Sequence, residues 1–352
     1  MTVNNGKGAS VVNESRDTST GIRPPPPWSA RVGREQNAHA AQRPTEIPKA
    51  GWKDIALRVK DEIKDDHLSL LAGGVAFKAL LALFPGIVAA ISIWALVADP
   101  QQMVEQAQTF TQALPSGAGQ LIEDQVANVA QSGRATLSVA LGISVALALW
   151  GASGGMAGLM EGATAAYDEI DTRKFPIRRG IALLLTVGAI LFLLFSLSLI
   201  AVLPPLLDRL GLPQGLHIAV QVMQWVVLAA VMVGSLAVVY KYGPGRDHAQ
   251  FRWVTPGAVI ATVLWLIGSA LFTLYVNNFG NFGETYGAFA GIIVLMLWLM
   301  LTAFIVLLGA EINAETERQT VTDTTVGQPQ PLGRRGANPA DTTPADIDSP
   351  RR

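Results

Sequence analysis

YGAFAGIIVLMLWLMLTAFIVLLGA, residues 286–310, contains no Asp, Glu, Lys or Arg. Wound as an α-helix at about 1.5 Å per residue, it is longer than the roughly 30 Å hydrocarbon core of a bilayer is thick. Residues 79–98, 135–160, 180–207, 216–240 and 253–276 are likewise free of formal charge and comparably long. In lipid every backbone N–H and C=O must be satisfied internally, so uncharged stretches of this length are read as helices. The fold class that follows is all-α: a polytopic membrane helical bundle of six transmembrane helices. The connection at 99–134 is long and carries two more helical patterns, Met103, Val104, Ala107, Phe110 and Leu114, then Leu121, Ile122, Val126 and Val129. Pro115-Ser116-Gly117 breaks between them, which predicts an external helical hairpin between spans one and two.

Composition agrees. Half the residues are apolar and 15% are charged, against about 25% charged in soluble domains. A net charge of −1 offers no basic face, so nucleic acid is not expected as a partner. Cysteine is absent, and His39, His67, His217 and His248 are scattered without ligand spacing, so no metal and no cofactor is expected. Residues 1–48 lack the apolar core of a signal peptide and include the run Pro24–Pro27; they read as a disordered tail. Residues 49–68 place Trp52, Ile55, Ala56, Val59 and Ile63 on one helical face beside Lys53, Arg58, Lys60 and Lys64, which suits an amphipathic helix at the membrane interface. Residues 69–317 form the membrane domain, and 318–352 read as a second disordered tail.

The loop after span two has Arg173, Lys174, Arg178 and Arg179, and that after span four has Lys241, Arg246 and Arg252. The alternate loops have only Arg134 and Arg209. The positive-inside rule then puts both termini in the cytoplasm and the chain in the plasma, or inner, membrane.

Candidate site residues fall into three groups. Gly151, Gly154, Gly155 and Gly158 repeat at four-residue spacing in span two, the pattern that lets helices approach closely in lipid. Lys78, Glu161 and Glu311 sit at similar depth at the inner edges of spans one, two and six, where a charge is tolerated by snorkelling or by pairing. Glu284 and Tyr286 mark a Gly- and Asn-rich outer loop, VNNFGNFGETYG, with the form of a gate or a turn. No GxxxxGK[ST], GxSxG or HExxH occurs, so no catalytic residue is nominated and the chain is not expected to be an enzyme.

The segments LAGGVAFKALLALFPGI (71–87), WGASGGMAGLMEGATAAYDEIDTR (150–173), TPGAVIATVLW (255–265) and the tract 282–315 ending in Gly309-Ala310-Glu311-Ile312-Asn313 together resemble the YihY/BrkB family of bacterial inner-membrane proteins, over about residues 50–318. The resemblance implies six spans and cytoplasmic ends. Two positions depart from the family's pattern: Lys78 stands where an aromatic is frequent, and Thr164 where Asn is frequent. The family carries a former ribonuclease label, at odds with the absence of a metal cluster or basic surface, and a virulence-factor label that describes a phenotype. The leading functional expectation is a transporter or flippase-like exporter of an envelope lipid or other amphiphile, with membrane lipids as partners. The alternative is a structural membrane protein of the envelope without transport activity. Protein partners cannot be read from the sequence, and a homo-oligomer is compatible with it.

Overall fold

The computed structural model describes residues 41–97, 134–209, 213–279 and 289–344. These are almost wholly helical: α1 (Lys49–Asp65), α2 (Leu68–Val97), α3 (Arg134–Ala166), α4 (Phe175–Arg209), α5 (Gln214–Tyr242), α6 (Phe251–Phe279), α7 (Ala290–Arg318) and the short α8 (Asn338–Asp341). Among the described residues, β structure amounts to one isolated antiparallel bridge, Ala249 to Thr325. Helices α4, α5, α6 and α7 are each long and apolar enough to cross a membrane, and α1 with the first half of α2 meets the same test as a pair bent by 63°. The described residues thus hold four to five candidate spans where the sequence predicts six. The expected external hairpin lies outside the described residues, apart from Arg134 at the start of α3.

Apolar side chains cover the outside of the bundle. In α4, only 11% of the most apolar window is buried, and Leu184, Leu191, Leu193, Leu194 and Leu197 all face outward. In water such a face would cost about 25 cal/mol for each Å² exposed; in hydrocarbon it costs nothing. Small residues instead line the inside. Gly151, Gly155 and Gly158 of α3 face α2: a Cβ placed on them would meet Ala82 at 3.3 Å, the Ala79 backbone at 3.6 Å and Lys78 Nζ at 3.2 Å. Gly154 faces the other way, towards Arg179 of α4, and Gly162 abuts Leu307 of α7.

The central contact joins α5, α6 and α7. Ala258, Ala261, Ala310 and Ala314 are buried there, and the Tyr240 hydroxyl donates to the Val306 carbonyl at 2.8 Å. Pro256 cannot donate a helical hydrogen bond. Beside it, Asn313 of α7 accepts the Gly257 N–H at 2.7 Å and donates to the Val254 carbonyl at 3.1 Å, so a side chain replaces part of the interrupted ladder. The two backbones come so close that a Cβ at Gly257 would run into the Gly309 carbonyl oxygen.

Residues 41–48 and 319–344, expected as parts of solvated tails, are anchored at points: Ala41, Ile47, Thr320, Thr324, Arg335 and Ala340 are buried, while 326–334 stay exposed. Ala41 and Ile47 join Ile55, Val59 and Trp253 in one apolar cluster. The Arg335 guanidinium donates to the carbonyls of Val321 at 2.7 Å, Ala340 at 2.7 Å and Gln330 at 3.1 Å. One buried arginine with fixed donors thereby organises a polar segment that has too little apolar area to order itself. The Gln250 N–H donates to the Thr324 carbonyl at 2.9 Å and the Val326 N–H to the His248 carbonyl at 2.9 Å, which lays this segment along the α5–α6 loop.

Candidate functional site

The last two turns of α7 carry Glu311, Asn313, Glu315, Glu317 and Arg318, and all five are buried. Helical periodicity sorts them. Residues 311, 315 and 318 share one face, and 313 and 317 share another.

On the first face Glu315 accepts hydrogen bonds from Arg58 Nε of α1 and from Arg318. Arg58 also donates to the Gln319 amide oxygen at 2.7 Å, and Arg318 reaches Asp168 in the loop after α3. On the second face Glu317 takes both its oxygens to one Arg246 nitrogen, at 3.0 and 2.9 Å, and accepts the Thr324 hydroxyl at 2.6 Å. The Arg246 guanidinium lies 4.5 Å from the Tyr167 ring centroid. Arg173 pairs with Asp171 at 2.8 Å and donates to the Gly243 carbonyl at 2.7 Å, fastening the α3–α4 loop to the end of α5. The hydrogen bond from Arg173 holds the Asp171 carboxyl below its ordinary range. One polar end therefore gathers α1, α7, both basic loops and the C-terminal segment.

Two acids at the α1–α2 junction are unsettled by the same surroundings. Burial, with Asp168 adding repulsion and Arg318 opposing it, pushes the Glu62 carboxyl up to about 7. Burial and then Asp168 push Asp66 up to about 6. The two non-glycine residues with positive φ among those described, His67 at 54° and Asp168 at 50°, stand at the corners of this region. Non-glycine residues in that conformation carry local strain, and such strain gathers where structure is constrained for function.

The sequence-nominated residues distribute unevenly. Lys78, Glu161 and Glu311 lie on the mutually adjacent helices α2, α3 and α7, as a shared cluster would require. Yet Lys78 and Glu161 are exposed, with the Lys78 ammonium over Gly158, whereas Glu311 is 1% exposed. Glu284 and Tyr286 lie outside the described residues. Among the described residues no group of three or more His, Cys, Asp or Glu is arranged to hold a metal ion.

Comparison with known proteins places the chain. The family model described as Virulence factor BrkB matches residues 59–332, which takes in the span tracts and the whole acidic end of α7. The chain belongs to the BrkB family. Among its BrkB-like relatives, the ribonuclease-like protein YfkH of Bacillus subtilis (strain 168) is 32% identical over 245 residues, covering 68% of this chain and 86% of that protein. The UPF0761 membrane protein PSHAa0171 of Pseudoalteromonas translucida (strain TAC 125) is 25% identical over 269 residues, covering 74% and 85%. No solved structure matches this BrkB-family chain.

Sequence reasoning passed over Arg58, Asp168, Arg246, Glu315, Glu317 and Arg318. A signal was available: Glu311, Glu315 and Arg318 fall at i, i+4 and i+7, and α7 has no Pro or Gly after Gly309 to end it before Arg318. The sequence reading carries the membrane domain to residue 317 but treats its last turns as an interfacial edge, which hides the pairing.

Proposed function

We propose that this BrkB-family protein is a transporter or flippase-like exporter of an envelope lipid or other amphiphile, set in the inner membrane with both termini cytoplasmic, and that it is not an enzyme. The observation that supports this reading is the charged end of α7. Breaking a buried ion pair costs about 3–5 kcal/mol, while replacing the whole pair by apolar groups is often neutral or stabilising. Stability alone therefore does not call for Arg58, Arg246, Arg318, Glu315 and Glu317 at the end of an apolar bundle. A set of charges that locks α1, α7 and two loops together, and that unlocks when one pairing changes, suits the inner gate of a transport path. The uncharged stretches suit a substrate that carries its own apolar tail through the bilayer.

Reconstitution into vesicles with labelled envelope lipids tests it. Lipid should redistribute between leaflets faster than in protein-free vesicles, and rates equal to those vesicles, with no solute moved either, would end the proposal. Incubating the purified protein with RNA, with and without divalent metal, should leave the RNA intact. Orientation is read separately in this cysteine-free chain: cysteines at Gln112 and Asn278 should react with an impermeant external reagent, and those at Thr172 and Asp247 should not.

One observation favours a structural role instead. The C-terminal segment leaves Val321, Val326 and Leu332 exposed on the polar end. Changing all three to Ser should leave lipid movement intact; loss of co-purifying proteins from this variant, in a protein whose wild type moves no lipid, would support the structural reading.

A further inference from the structure

We propose that Glu311 is a proton-binding site, filled and emptied through Glu62 and Asp66 at the bend between α1 and α2. Glu311 is 1% exposed, and its Oε2 is buried without a hydrogen-bond partner. The charged groups whose fields reach it are Asp66 and Glu62 from the α1–α2 junction, and Glu315 and Arg318 from its own helix. From the end of α3 it is faced by the Tyr167 phenol. The neighbouring helices bring apolar groups to the same stretch of α7: α2 packs Leu68 and Ala72 against Leu307, and α6 packs Trp253 against Leu308 and Ile312.

The cations nearby are committed elsewhere. Arg318 divides its two terminal nitrogens between Glu315 and Asp168, leaving only its Nε–H, itself buried and unpartnered. Arg58 is divided between Glu315 and Gln319. Five carboxylates (Glu62, Asp66, Asp168, Glu311 and Glu315) thus meet two guanidiniums. A lone carboxylate out of water is too costly to stand as a bare charge and takes up a proton instead. A metal cation is the other way to neutralise it, but no suitable donor group exists among the described residues.

Glu62 and Asp66 complete the site. Both are about half-buried and poised near neutrality, so they can pass a proton between water and the dry carboxyl. Both lie just before the strained His67 corner, at the end of α1, which makes α1 the element that must shift if Glu311 becomes charged beside Glu315. The site rests on the transport reading for its use, as a proton-linked latch on the gate, and not for its existence.

Infrared difference spectroscopy of the full chain in lipid, stepped between about pH 5 and pH 9, reads the proton directly and needs no transport. The wild type should show a protonated-carboxyl band in a dry environment that weakens as the pH is raised. Glu311→Gln should remove it. Asp66→Asn and Glu62→Gln, at sites closer to solvent, should keep the band and slow its loss after a pH jump. A wild type without such a band, a band that survives in Glu311→Gln, or unchanged kinetics in both relay variants would each overturn the proposal. Lipid movement in a protein that lacks the band would sink this site and leave the transport reading standing.

Discussion

Helix α4 and the end of α7 are built on opposite plans. Between Phe175 and Leu207 the chain is apolar almost all round and largely exposed. Between Ala310 and Arg318 six of the nine residues are charged or polar, and the stretch is almost wholly buried. A water-soluble protein would be unstable with the first, and the second would be unstable anywhere without partners. The first is stable because its surroundings are hydrocarbon, where leucine outside is as well placed as leucine inside. The second is stable because each charge, Glu311 excepted, finds a fixed partner on a neighbouring element. The two ends of the bundle's energetics are therefore separate. Small-residue packing holds the spans, and ion pairs hold the polar end.

The sharpest way to break this contrast is Arg318→Met. It leaves Glu315 short of a partner in dry surroundings and should lower unfolding free energy in detergent by about 3–5 kcal/mol. Adding Glu315→Leu should recover most of that, because an apolar pair replaces the stranded charge. A single-variant loss below about 1 kcal/mol, the level of an exposed ion pair, would show the polar end to be wet and the contrast false. Next comes packing. Gly257→Ala forces a methyl into Asn313 and the α7 backbone and should cost about 1–3 kcal/mol, measured the same way. Gly234→Ala in α5 meets nothing within 4 Å and should be neutral or stabilise by up to about 1 kcal/mol.

A smaller effect distinguishes the polar end by its pH response. Folding raises the Glu62 carboxyl from 4.5 to about 7, so its contribution is fully present below about pH 4.5 and fades as pH rises through about 7. Asp171, held low by Arg173, acts in the other direction, contributing above about 3.8 and fading as pH falls. Hydrogen-exchange protection in α1, after division by the intrinsic base-catalysed rate, should accordingly fall between about pH 5 and pH 8, and Glu62→Gln should flatten that fall. The smallest expected effect is a coupling. Lys78 is exposed and Glu311 buried, so Lys78→Met and Glu311→Gln should add to within about 0.5 kcal/mol in unfolding free energy. A larger coupling would tie the Lys78 turn of α2 into the polar end and blur the division.

How far the sequence could be read differs between the same two regions. Charge-free stretches at 180–207, 216–240, 253–276 and 286–310 announced α4 to α7, since a window long enough to cross hydrocarbon is a property of composition alone. The glycines at 151, 155 and 158 announced a face for close approach, although only the assembled bundle decides that it meets α2 and that Gly154 turns to Arg179. The family tracts were legible as well. The polar end was not. Residues 41–48 and 319–344 read as solvent-loving because each alone has little to bury, and their order depends on partners far along the chain, such as Ala41 for Thr320 at 2.5 Å or Glu169 for Asn338 at 2.5 Å.

By itself, then, the sequence determined that the chain is helical, membrane-embedded and a member of its family, because hydrophobic length and local motif are short-range properties. Only the tertiary structure decided which charges are buried and which are spare. Glu311 and Glu161 look alike in the sequence, each a glutamate near the end of an apolar helix. One is enclosed and the other open because α1, α2 and α6 close over α7 while one side of α3 stays uncovered. Enclosure depends on all the neighbouring elements at once, and a carboxylate's chemistry depends on enclosure.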